Sequence, residues 1–255
     1  MARLEVTIET RDGQCPAYLY SPDGSRGPWP AVLFLMDGGG IRPALREMAQ
    51  HLADGGYLVL LPDLYYREGK YPPMVPAQVF ADPVQVAELR RLIGTLDRER
   101  KVSDAEAFIN FLSSRPEVEG ERFGVTGYCL GGNIALTAAG AFGDRFAAIA
   151  SFHGGNLATD KPDSPHLFVG NIEGRAYVAC AVEDSSFPPE QHERLERALT
   201  DAGVPHLIET YAGAHHGFAV PDMPAFDPAA AQRHWTALFE LLGQTLPASG
   251  GAAGD

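Results

Sequence analysis

Val125-Thr126-Gly127-Tyr128-Cys129-Leu130-Gly131-Gly132 is the stretch whose reading decides the fold. Residues 122–126 before the cysteine read as a short buried strand, and residues 132–141 after it have the small, apolar composition of a packed helix. The chain must therefore reverse within about three residues, which is the geometry of a nucleophile elbow. Such a turn strains the residue at its tip, and glycines two before and two after it let the neighbouring backbone approach closely. Gly127 and Gly131 stand at those places, and Cys129 stands at the tip. A cysteine at a helix start also feels the positive end of the helix dipole and unpaired N–H groups, which favour its nucleophilic thiolate. The competing reading is a buried structural cysteine in a loop that merely contains glycines.

The same alternation extends in both directions. Residues 4–9 and 17–20 read as two strands around an Asp12-Gly13 turn, followed by a Pro/Gly-rich loop over 21–30. Residues 31–36 are a continuous apolar run, and 57–61, 147–152 and 176–181 repeat the habit. Unbroken apolar strands are buried on both faces, as in a parallel sheet covered by helices. Helices are predicted between them at 43–53, 84–96, 104–112, 132–141 and 189–202. The expected architecture is α/β: a doubly wound, mostly parallel sheet with helices on both faces and right-handed crossovers. Residues 1–246 are expected to form one domain, and the tail 247–255 has nothing to bury and is expected to be disordered. The stretch 65–83, rich in proline and aromatics, reads either as a lid or pocket wall or as a solvated loop.

Composition narrows the function classes. The chain has 255 residues, 45% of them hydrophobic, and a formal charge of −13. That charge argues against nucleic acid, whose phosphates need clustered Lys and Arg. No apolar run is long enough to span a membrane, and the N-terminus lacks a basic region followed by an apolar stretch. Cys15, Cys129 and Cys180 form an odd set without framework spacing, which fits a reducing compartment. Cys15 and Cys180 fall in strand-like runs and read as core residues. A soluble, cytoplasmic protein is expected, monomeric or homodimeric, acting on a small molecule. No zinc-ligand spacing, P-loop or dinucleotide fingerprint is present, so neither metal nor other cofactor is expected.

In a sheet of this kind ligands bind beyond the carboxyl ends of the strands, so partners for the cysteine are sought there. A nucleophilic cysteine needs a histidine oriented by a carboxylate, here expected in the chain order nucleophile, acid, histidine. His216, in a loop after the strand-like residues 205–209, leads, with its neighbour His215 as rival. Gly217 would permit the turn that aims an imidazole at the elbow. Asp184, after the run 176–181, leads among the acids, with Glu183 as competitor and Asp160 and Asp163 ranking below. His51, His192, His206 and His234 read as surface residues, and His153 as either pocket lining or packing. Leu130, after the nucleophile, and Gly38, in the glycine loop 37–43, are the candidate oxyanion donors. Asp37 would then lie beside the pocket, where its carboxylate would disfavour a thiolate.

Gly-Tyr-Cys-Leu-Gly-Gly at 127–132, Asp184 followed by Pro188, and Gly-Ala-His-His-Gly-Phe at 213–218 together resemble the dienelactone hydrolase family of α/β-hydrolases. The resemblance implies the α/β-hydrolase fold, a triad of Cys129, Asp184 and His216, and hydrolysis of small carboxylic esters or lactones. It also implies that Asp37 occupies the position of a glutamate that touches the resting thiol, one methylene longer. Dienelactone-cleaving members carry an arginine four residues after the histidine, and this chain has Val220 there. Arg42, Arg67, Lys70 and Arg90 are candidate replacements. Tyr128, His153, Phe218, Asp37 and Arg42 are the expected substrate contacts. Two other readings remain open: a non-catalytic ligand-binding protein on the same fold, and a thioesterase or peptidase.

Overall fold

The central strands are short because their residues are buried on both faces. In β3 (Ala31–Leu35), β4 (Leu58–Pro62) and β5 (Phe123–Tyr128) every residue is buried. The computed structural model describes residues 2–22, 27–71, 74–79 and 81–247. Residues 248–255 of the tail expected to be disordered lie outside them. Among the described residues the sheet has eight strands in the order β1-β2-β4-β3-β5-β6-β7-β8. Here β1 is Ala2–Thr10, β2 Gly13–Ser21, β6 Phe146–Phe152, β7 Arg175–Cys180 and β8 His206–Thr210. β1 and β2 pair antiparallel, β2 joins β4 antiparallel, and all other pairings are parallel.

Helices cover both faces. On one lie α1 (Pro43–Asp54) and α7 (Pro228–Thr245), which meet where His51 packs edge-on against Trp235. On the other lie α4 (Arg98–Ser113) and α5 (Leu130–Ala141), with α6 (Pro189–Asp201) beyond them. Two shorter pieces, α2 (Pro76–Val79) and α3 (Pro83–Gly94), sit between β4 and α4 in the chain. α4 starts six residues before the predicted position 104. Its first turn is charged rather than amphipathic, and it is fixed by Asp97, whose carboxylate accepts the Arg100 N–H at 2.8 Å. No helix of the described residues is long and apolar enough to cross a membrane.

The strand order reverses at β3, which has β4 on one side and β5 on the other. Such a switch point opens a crevice at the carboxyl ends, because the chain leaves neighbouring strands toward opposite faces. The loop after β3 and the elbow after β5 meet there.

Candidate active site

The elbow is built by steric necessity. Cys129 adopts φ 54° and ψ −112°, a left-handed conformation that costs energy for any residue with a Cβ. A Cβ on Gly127 would lie 2.1 Å from the backbone of Gly131, and one on Gly131 would lie 2.3 Å from the Leu35 carbonyl oxygen. Neither position accepts a side chain without moving the helix off the sheet. The Cys129 N–H donates to the Phe152 carbonyl at 3.1 Å, which ties the strained residue to β6. The thiol is left half-buried at the start of α5.

Two loops bring partners to it. Beyond β7, Asp184 is buried; beyond β8, His216 is half-buried, and its Nδ1 lies 2.7 Å from Asp184 Oδ2. The turn that aims this imidazole uses Gly217 at φ +100°. His215 and Glu183, the rivals, are both exposed. Burial disfavours the charged form of His216, but hydrogen bonds to Asp184 and to Cys129 outweigh it and push the pKa up to about 10. Asp184 shows the complementary balance: burial alone would raise it, and His216 and Ser186 hold it below the ordinary carboxylate value.

Ser186 is a residue the sequence reading missed. Its N–H and its hydroxyl both donate to Asp184 Oδ1, at 2.9 and 2.7 Å. The signal available was an aspartate followed two residues on by serine, the pattern of a side chain folding over its own turn. Leu130, the first residue of α5, has an N–H without a partner inside the helix. Gly38 is held by its carbonyl, which accepts the Tyr65 hydroxyl at 3.0 Å. Its place beside Cys129 is shared with Asp37 and Gly39 along one cavity wall.

Several expected contacts are placed differently. Asp37 lines the cavity, but Arg42 grips both carboxylate oxygens, with Nη1 to Oδ1 at 2.6 Å and Nη2 to Oδ2 at 2.8 Å. The carboxylate expected to oppose the thiolate is therefore paired with a guanidinium of its own loop. Arg42 is buried, and its Nε and Nη2 also donate to Asp222, at 2.7 and 2.8 Å. It staples the loop after β3 to the loop that carries His216, and its guanidinium is committed to two carboxylates. Tyr128 is buried, with its hydroxyl 3.0 Å from Nε2 of His234. Being next to Cys129 on a strand end, it points to the opposite face, toward α7. His234 is accordingly not a surface residue: it is fully buried, and its pKa is lowered to about 3 by that burial. Phe218 is buried against His153 and Tyr211.

His153 lines the same cavity as Cys129, with φ 40° and its ring centre 5.2 Å from that of His216. Burial, and the neighbouring His216 and His234, hold its pKa well below the ordinary value, so it stays neutral. Among the candidate cations, Arg67 is bound to Asp104 and Asp12, and Lys70 and Arg90 are exposed. Val220 is buried. The described part of 65–83 is a pocket wall, since Met74, Pro76 and Val79 line the cavity beside the thiol.

The comparisons with known proteins agree with this layout. The sequence profile of the dienelactone hydrolase family matches residues 15–246. A protein of Synechocystis sp., provisionally named a carboxymethylenebutenolidase, is 30% identical over 247 residues, covering 93% of this chain and 94% of its own. A solved dienelactone hydrolase-like promiscuous phosphotriesterase from metagenomic libraries superposes with a TM-score of 0.78 at 25% identity, over 96% of this chain and 100% of its own. A crystal structure from Klebsiella pneumoniae subsp. pneumoniae, provisionally described as a dienelactone hydrolase, reaches a TM-score of 0.82 at 22% identity and shares the fold. It covers 95% of this chain and 98% of its own.

Proposed function

This chain belongs to the dienelactone hydrolase family and is a hydrolase, and from that premise we propose that it cleaves small carboxylic esters or lactones through Cys129 as nucleophile. The single observation carrying the reading is the placement of His216, whose Nδ1 lies 2.7 Å from the Asp184 carboxylate and whose ring borders the same cavity as Cys129. In this mechanism His216 takes the proton of Cys129, and Asp184 fixes the ring and steadies its charge. The thiolate attacks the carbonyl carbon, and the N–H groups of Gly38 and Leu130 receive the oxyanion. His216 gives its proton to the departing alkoxide or enolate, leaving a thioester on Cys129. Water then attacks that thioester as His216 takes a proton from it, the carboxylic acid leaves, and the proton returns to the sulfur–imidazole pair.

A thiolate is a better leaving group than an ordinary alkoxide, so its tetrahedral adduct collapses backward unless the alcohol is acidic. Activated esters and enol-lactones are therefore the expected substrates. A relative from Bradyrhizobium sp., 26% identical, carries a provisional lactonase name, which supports the lactone side of the reading. The test is p-nitrophenyl acetate turnover by the native chain and by Cys129→Ala, with mass spectrometry of the quenched protein. An added acetyl group on the native protein and loss of turnover in the variant are expected; retained turnover in Cys129→Ala would overturn the assignment.

A further inference from the structure

The loop after β3 turns on two glycines. The Gly40 N–H donates to the Asp37 carbonyl at 3.2 Å, which closes a β-turn with Gly38 and Gly39 at its centre. A turn with glycine at both central places adopts type I or type II at little cost, and the two differ by a flip of the middle peptide, here Gly38–Gly39. Type II needs a positive φ at the third residue of the turn. Gly39 is not in that region, whereas Gly40 is at φ +78°, so the turn rests in one of its two states.

Both ends of that middle peptide are held by side chains. Its carbonyl, from Gly38, accepts the Tyr65 hydroxyl at 3.0 Å, and its N–H, from Gly39, donates to Asp37 Oδ1 at 2.8 Å. Tyr65 comes from the loop after β4 and is fully buried. Burial, with Asp37 and Cys129 nearby, pushes the pKa of its hydroxyl well up, so it stays protonated and donates. Tyr65 is itself anchored: its N–H and the Tyr71 hydroxyl both donate to Asp63 Oδ1 at 3.0 Å, and the two rings stand edge to face with centres 5.5 Å apart. Tyr71 in turn lies against Gly40, where a Cβ would be 2.9 Å from its ring. The loop after β4 thus fixes the turn after β3. Among the described residues the Gly38 N–H has no acceptor, which leaves it available beside Cys129.

We propose that Tyr65 is a positioning residue that locks the middle peptide of the Asp37–Gly40 turn in one orientation, and that this lock sets the direction in which the Gly38 N–H meets the oxyanion. The proposal rests on the nucleophile assignment above and goes beyond it by naming what holds the donor in place. Without the hydroxyl, the Gly38 carbonyl is a buried acceptor that has lost its partner. The flip that relieves it breaks the Gly39 bond to Asp37 and reverses a peptide dipole next to the donor N–H, so the site is no longer preorganised for the developing charge.

The test is Tyr65→Phe, which keeps the ring and removes the hydroxyl. With p-nitrophenyl acetate, kcat should fall about ten- to a hundredfold, the effect of leaving one buried acceptor unpaired, while KM stays within about threefold because acylation and deacylation use the same donor. The inhibition constant of 1,1,1-trifluoroacetone, whose adduct with Cys129 carries an oxyanion, should rise by about the same factor as kcat falls. Amide hydrogen exchange followed by NMR reads the lock without catalysis. The Gly39 N–H should be protected in the native protein and exchange at least about tenfold faster in Tyr65→Phe, with the Cys129 N–H, bonded to Phe152, unchanged. Native kcat in the variant, a loss confined to KM, or unchanged Gly39 exchange would each overturn the proposal. So would a Gly39 amide that exchanges in the native protein as fast as an unstructured glycine, a measurement that holds even where the variant fails to fold. Retained turnover by Cys129→Ala would remove the nucleophile assignment and leave the exchange result standing.

Discussion

His153 and His216 stand edge to face with their ring centres 5.2 Å apart, the first buried and the second half-buried, and they differ in their partners. His216 has the Asp184 carboxylate on Nδ1, which together with the nearby thiol raises its pKa to about 10. Neither ring nitrogen of His153 finds a hydrogen-bond partner among the described residues, and its pKa falls well below the ordinary value. Burial pushes both the same way. The carboxylate, together with the sulfur, reverses the outcome for one of them. His234 is a further case: its neighbours are a tyrosine hydroxyl and a backbone carbonyl, neither carries charge, and it too stays neutral. Among these three imidazoles the charged form is favoured only where a strand end delivers a carboxylate.

The comparison can be broken most directly by deleting each ring. His216→Ala should lower kcat/KM for p-nitrophenyl acetate by about ten-thousand-fold or more, the usual cost of removing a triad base. His153→Ala should instead cost about 2–4 kcal/mol of stability, as loss of a buried ring does, with less than about a tenfold change in kcat/KM. Steady-state kinetics and urea unfolding of the two variants check both statements, and the reverse pattern would make His153 the base.

Asp184→Asn sharpens the comparison by making His216 resemble its neighbour. Turnover should fall by about a thousand- to ten-thousand-fold. The pH dependence carries the sign of the shift. His216 is raised from an ordinary 6.5 to about 10, so the stability gained from its charged form is complete below pH 6.5 and is lost as pH rises through about 10. The alkaline limb of the native kcat profile should lie near that upper value and move to lower pH in Asp184→Asn. A limb that stays in place would show that Asp184 does not hold the imidazolium.

The smallest effect is expected where the imidazole has no chemical role. Tyr128→Phe removes the hydroxyl beside His234 and leaves a buried ring nitrogen unpaired, which should cost about 1–3 kcal/mol in denaturant unfolding. Because the pair lies on the α7 face, kcat/KM should change by no more than about twofold, on the same p-nitrophenyl acetate assay. A large kinetic effect would return Tyr128 to the substrate contacts.

Much of the site was legible because turn geometry is written locally. Glycines at 127 and 131 are demanded by backbone contacts a few residues away, and the sequence shows them at that spacing. The side chains that the structure brings together, Cys129, Asp184 and His216, each follow a strand end, and unbroken apolar runs mark those ends. Arg42, Tyr128, Phe218 and His234 were misplaced from sequence because nothing local says which face of the sheet a side chain meets. An arginine near a pocket loop reads the same whether it greets a substrate or, as here, is gripped by Asp37 and by Asp222 from 180 residues away.

The sequence by itself determined the order of strands and helices, the strained elbow, the chain order of Cys129, Asp184 and His216 at successive strand ends, and the net charge of −13. Each of these depends on residue type and on contacts within a few positions along the chain. Tertiary structure alone decided which imidazole meets a carboxylate, which cations are consumed by ion pairs, and which side chains line the cleft at Cys129. Those outcomes depend on distances between elements far apart in sequence, and the energy of a charge in a protein interior is set by what the fold places beside it.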